Sequence, residues 1–143
     1  MTTTPQRTPM KKLGALVPIA LVLIVPAAIW GSYAMAADAY QMQQAYEKQA
    51  GQTANSQRGQ VFFTKTHGGD WSCATCHTAK PTVTGKHTIT GRPIDPLAPS
   101  FNKERFSSER QTEKWFRRNC KDVLQRECTA IEKADVIAFL RTF

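Results

Sequence analysis

Hydrophobic and polar positions divide this chain into two unlike parts. Leu13 to Trp30, "LGALVPIALVLIVPAAIW", contains no charge, and beyond Ala36 the apolar residues recur in short groups at helical spacing. "ADAYQMQQAYEKQAG" reads as a short helix closed by Gly51, since glycine takes the left-handed conformation a helix end requires. Asn55 or Ser56 caps a second helix through "QRGQVFFTK". "THGGDW" is a turn. From Ala79 to Asn102 the period is lost, and Pro81, Pro93, Pro96 and Pro99 mark a long irregular loop of the kind that carries function or wraps something. Ser107 or Ser108 caps a third helix, "ERQTEKWFRRN". Thr129 to Glu132 form a capping box that opens a last helix, whose Ile131, Val136, Ile137, Phe139 and Leu140 keep mainly to one face. No strand and no repeat is expected. The pattern predicts a small all-α domain with a third of its length in loops.

The uncharged run changes where that domain works. Arg7, Lys11 and Lys12 precede it and Ala34-Met35-Ala36 follows, which is the layout of a secretory signal cut after Ala36. Residues 13–30 also reach nearly across a bilayer at ~1.5 Å per residue, so an uncleaved anchor is the alternative. Either way residues 1–36 are the export segment, residues 37–143 are the functional domain, and the expected location is periplasmic. Three of the nineteen basic residues precede the run and none of the eleven acidic ones does, so the exported part stays basic by five. Scattered positive charge on an exported domain suits an acidic protein partner and argues against nucleic acid.

Export also bears on the cysteines, because thiols outside the cytoplasm do not stay free in pairs. Cys73, Cys76, Cys120 and Cys128 all lie in the exported part. "WSCATCHTAK" contains Cys-x-x-Cys-His, the attachment pattern for c-type haem. One helical turn brings both sulfurs to one edge of the porphyrin and sets His77 below the iron. A zinc site would need a second close pair, whereas Cys120 and Cys128 are eight apart. A thioredoxin-like pair would need a strand leading into it. A planar cofactor also answers a thin hydrophobic inventory, since domains of this size are marginal without additional filling. "RGQVFF" and "DVIAFL" resemble the crossing terminal helices of class I cytochromes c, with Gly59 allowing close approach and Phe62 or Phe63 near Phe139.

The sixth iron position is less ordinary. No methionine follows His77, and Met42 lies upstream in the first helix, so Met/His ligation is not expected. His67 adjoins the turn into the motif, and His87 sits on the loop within reach of the distal face. Cys120 and Cys128 close a nine-residue loop worth roughly 2.6 kcal/mol if the two bridge. Asn119 precedes that loop, where helix capping is its default role.

"GRPIDPLAPS", "RFSSERQTEKWFRRNC" and "EC...EKAD" together resemble the sphaeroides haem protein (SHP) group of monohaem cytochromes c, over nearly the whole exported domain. The resemblance implies one covalent haem c on Cys73 and Cys76, His77 as proximal ligand, Asn119 as distal ligand of the oxidised form, and a Cys120–Cys128 bridge. It further implies that the asparagine leaves on reduction, so that O2 or NO can bind. The implied redox partner is a dihaem cytochrome c linked to a membrane b-type cytochrome. A carboxamide oxygen is a hard, weak donor that suits ferric iron better than ferrous. Trp115 and the loop residues Pro96, Leu97 and Pro99 are expected to line the ring. Two alternatives stand beside this reading: a plain carrier with His87 as sixth ligand, and a small-ligand reductase, for which no proton donor is visible in the sequence.

Overall fold

The computed structural model describes Met1, Thr2 and residues 38–143; the apolar run and its cleavage site lie outside those residues. Among the described residues no helix is long and apolar enough to cross a membrane.

Three helices make the core, and each starts where its sequence signal lies. Helix α1 (Ala39–Ala50) begins at Asp38, whose carboxylate accepts from the Gln41 amide at 2.8 Å, and stops at Gly51 with φ 63°. Helix α2 (Ser56–Thr64) is capped by Asn55, which accepts from the Arg58 amide. The last helix of the chain (Ala130–Leu140) opens with the Thr129–Glu132 capping box. Both α1 and α2 pack on this last helix, and Phe63, Ile137 and Leu140 are fully buried there. Phe63 and Phe139 rings meet at 5.5 Å, and Met42 is buried in the same cluster, committed to packing.

The crossing of α2 with the last helix depends on Gly59. A Cβ on that residue would lie 1.9 Å from the Asp135 carbonyl oxygen, so only glycine lets the backbones approach this closely. Asp135 is 2% exposed, and its carboxylate accepts from the Asn55 amide and Arg58 Nη2, each at 2.7 Å, with Arg58 Nε on its other oxygen. A buried carboxylate is tolerable when its lone pairs are filled in this way.

The remainder is built more loosely. Helix α3 (Cys73–His77) is a single turn. The loop after it contains a minimal antiparallel pairing of β1 (Gly85–Lys86) with β2 (Pro93–Ile94), which the sequence reading had missed. Two-residue strands are too short to show alternation, and Pro93 argues against a strand. Helix α4 (Glu109–Leu124) is capped by Ser108 and runs five residues past the expected end at Asn119, before a left-handed Gln125. "KDVL" continues the helix because nothing in it breaks the backbone pattern, so Asn119 stands inside a helix and caps nothing. Only Thr112 and Cys120 of α4 are buried. Phe116 meets the edge of Tyr46 at 5.9 Å, and Glu113 pairs with Lys133 at 2.9 Å, fastening α4 to α1 and to the last helix, α5.

Candidate functional site

Ser72 is buried and caps α3 reciprocally with Thr75: each backbone amide is held by the other residue's hydroxyl, at 2.9 and 3.2 Å. Such a box lets a helix of one turn exist at all. It presents Cys73, Cys76 and His77 together, with both sulfurs unpaired and half-buried. Burial pushes the Cys73 thiol up to about 11. Burial, with the charge of Arg105 adding to it, brings the His77 ring down to about 4, so the imidazole is neutral at physiological pH. A neutral imidazole is the form that binds a metal.

The chain after His77 turns away under constraint. Thr78 has φ 64° and ψ 158°, a region almost reserved for glycine that costs an L-residue of order 1–3 kcal/mol. Its hydroxyl donates to the Lys80 carbonyl at 2.7 Å. Gly85 then seats its backbone on α3, where a Cβ would lie 2.1 Å from the Cys76 carbonyl oxygen. Thr88 Oγ1 lies 2.9 Å from Cys76 Sγ. From further along, the Pro81 carbonyl accepts from the Leu97 and Ala98 amides at 2.9 and 3.0 Å. Arg105 Nε reaches the Pro96 carbonyl at 2.9 Å and Nη2 the Asp95 carbonyl at 2.8 Å. Leu97 is thereby packed against the core. Thr78, Gly85 and Arg105 were not visible as site residues in the sequence, because their partners are backbone atoms fixed by the fold.

Each histidine has its own fate. His67 Nε2 contacts the Phe62 carbonyl at 2.8 Å, with its ring 4.5 Å from that of Phe62, which ties it to the end of α2. His87 Nδ1 accepts from the Ile89 and Thr90 amides, both at 3.3 Å, inside the β1–β2 turn. That bond fixes the ring to its own turn. Among the described residues no three His, Cys, Asp or Glu side chains gather as a metal-ion site.

On α4, Asn119 is exposed and its amide makes no hydrogen bond among the described residues. The next residue, Cys120, is bonded to Cys128 with S–S 1.98 Å and Cα–Cα 5.6 Å. Trp115 lies one turn before Asn119, 41% exposed, with Arg118 and Lys114 5.4 and 5.9 Å from its ring centre.

One turn bearing two thiols and a neutral imidazole, set on crossed helices α2 and α5, defines a class I type c cytochrome. A family model described as Domain of unknown function (DUF1924) matches residues 49–140. The cytochrome c-type protein SHP of Cereibacter sphaeroides is 46% identical over 99 residues, which span 66% of this chain and 76% of that protein. Cytochrome c'' of Methylophilus methylotrophus is 40% identical over 88 residues, 59% of this chain and 61% of that one. Among solved structures, oxidized SHP, described as an oxygen binding cytochrome c, aligns with a TM-score of 0.69 at 42% identity, covering 75% of this chain and 98% of its own. Oxidized cytochrome c'' aligns with a TM-score of 0.65 at 33% identity, covering 73% and 93%. The chain belongs to the SHP-type family of monohaem c-type cytochromes, with one covalently bound haem c as its cofactor.

The residues present fit that group. Two unpaired sulfurs share one turn, the histidine beside them is neutral, and a half-buried guanidinium nearby has no carboxylate within 4.0 Å among the described residues.

Proposed function

We propose that this is an exported, periplasmic electron-transfer cytochrome whose distal ligand is displaceable, leaving the reduced haem open to O2 or NO. Cys73 and Cys76 hold the cofactor and His77 is the proximal ligand. Asn119 occupies the opposite position in the oxidised protein. The haem supplies a one-electron couple and a coordination site; the chain decides how strongly that site is closed.

One observation carries this reading. Asn119 is a free amide, in mid-helix, directly before a bridged cysteine. An amide already spent on a helix cap could not serve the iron, and here the cap is Gln125. The disulfide restricts the backbone that aims it. A neutral carboxamide oxygen then favours the ferric over the ferrous state, so reduction weakens the bond. Support comes from two relatives: SHP is described as oxygen binding, and a solution structure of cytochrome c'' is described in terms of haem-ligand detachment. By the same resemblance, the redox partner is a dihaem cytochrome c connected to a membrane b-type cytochrome. The basic balance of the domain suits an acidic face on such a partner.

The test is spectroscopic. Carbon monoxide added to the dithionite-reduced protein should shift the Soret band at once, and the ferric paramagnetic resonance spectrum should change in Asn119→Ala. An unaltered ferric spectrum in that variant would rule the asparagine out.

A further inference from the structure

Helix α4 has two unlike sides. Thr112, Phe116 and Cys120, spaced four apart, form the inward side, where Phe116 meets Tyr46 and Glu113 pairs with Lys133. Glu109 lies one turn before Glu113 on that side. The outward side is a row of cations. Arg110, Lys114, Arg118 and Lys121 follow one another at steps of four, four and three, all exposed, with exposed Arg117 on their flank. None of the five lies within 4.0 Å of a carboxylate among the described residues, and Asp122 adds one negative charge at the C-terminal tip. Like charges three and four positions apart repel and weaken the helix that carries them. Negative charge brought from outside relieves that repulsion. Trp115 borders the row, 41% exposed, with Arg118 and Lys114 5.4 and 5.9 Å from its ring centre, so the indole is held at the surface. Tryptophan and arginine are the residues that anchor protein interfaces. A helix lying on a membrane would instead turn a broad apolar face outward, and Trp115 is the one exposed large apolar side chain of α4.

We propose that the outward face of α4, from Arg110 to Lys121 with Trp115 as its apolar anchor, is the surface on which an acidic face of the redox partner docks. This assignment rests on the electron-transfer reading above and gives the partner its place on the domain. In the docked pair one electron passes from a ferrous haem of the partner to the ferric haem of this chain, leaving the partner's haem ferric. The cations speed encounter and fix orientation, and the indole slows release. Because the row is exposed, salt screens it. The face is also preformed. Ser108 caps one end of α4 and the Cys120–Cys128 bridge fastens the helix near the other, so little freedom is lost on docking.

Stopped-flow reduction of the ferric holoprotein by a reduced dihaem cytochrome c reads this surface, with reduction by dithionite and the carbon monoxide Soret shift as controls for an intact haem site. Lys114→Glu combined with Arg118→Glu should lower the second-order rate constant at low salt about tenfold or more and flatten its dependence on ionic strength. Lys48→Glu combined with Lys65→Glu makes the same change in net charge at two exposed positions off α4, and should slow the reaction far less. Lys114→Gln combined with Arg118→Gln relieves the repulsion, so it should melt no earlier than wild type while showing the same slowing in weaker form. Trp115→Ala should slow reduction with the salt dependence kept. Dithionite should reduce all of them alike. Equal slowing in the two glutamate pairs overturns the inference, because net charge alone then explains the rates. Flotation of the wild type but not the Lys114/Arg118 variants with phosphatidylglycerol vesicles, at equal reduction rates, would assign the face to a membrane and overturn it too. A wild type that the dihaem cytochrome c does not reduce brings down the electron-transfer reading and this inference together, whereas equal rates in wild type and the Lys114/Arg118 variants overturn this inference alone.

Discussion

The α1–α2–α5 side and the α3–loop–α4 side of this domain are held together by different means. The first is a conventional core: Phe63, Ile137 and Leu140 are fully buried, and Asp135 is saturated with donors from α2 and the residue before it. The second has little core of its own. Its longest helix buries two residues, and it is fastened by a disulfide, an ion pair and one aromatic contact. Stability therefore sits in the half without the chemistry. The half with the chemistry is kept in place by discrete tethers, each of which can be removed singly. Regions with few buried apolar contacts open at lower free energy than the global transition.

Gly59→Ala attacks the first region and should have the largest effect. Its Cβ meets main-chain atoms that cannot rotate aside, so a loss of about 3 kcal/mol or more is expected in denaturant unfolding. A change below 0.5 kcal/mol would mean that the α2–α5 crossing is not the stability centre. Replacing Cys120 and Cys128 together by serine should cost roughly 2–3 kcal/mol. Hydrogen exchange would then show the loss of protection confined to α4. If the α5 amides lose protection equally, the two regions are one cooperative unit and the contrast fails.

Asn119→Ala sharpens the contrast from the other direction. An exposed mid-helix position gains helix propensity on this change, so stability should hold or rise by about 0.5 kcal/mol while the ferric spectrum changes. Glu132 provides the smallest effect. Burial alone would raise its pKa, but Arg126 and the Thr129 amide hold it below the usual carboxylate range. A lowered folded pKa gives stability that is present above the unfolded value and is lost as pH falls through the folded one. Wild type and Glu132→Gln should therefore converge in acid and diverge at neutral pH, by about 1 kcal/mol or less for a partly exposed pair. A constant difference across pH would remove the carboxylate from the account of the α5 start.

Legibility followed the same divide. Gly51, Asn55 and the Thr129–Glu132 box marked the core helices because capping is a local interaction between residues a few positions apart, while Asp38, which starts α1, was not singled out. Cys73, Cys76 and His77 were readable because their spacing is the chemistry. Asn119 looked like the end of α4, and only the tertiary course of residues 120–124 shows that the helix continues. The β1–β2 pairing, the strained Thr78 and the reach of Arg105 back to residues 95 and 96 were hidden, since each depends on where distant backbone atoms come to rest. Trp115, expected beside the ring, is partly exposed on the same face of α4 as Asn119, with Lys114 and Arg118 near its ring.

The bridge from Cys120 ends at Cys128, one residue before Thr129 starts the central helix. Mechanically, α4 is a rod pinned near one tip to the segment that leads into α5. When such a rod tilts, displacement grows with distance from the pin. Arg110, ten residues away, sits at a lever arm of ~15 Å, while Asn119 adjoins the pin and scarcely travels. Partners or solvent can therefore jostle the outer end of the rod without moving Asn119.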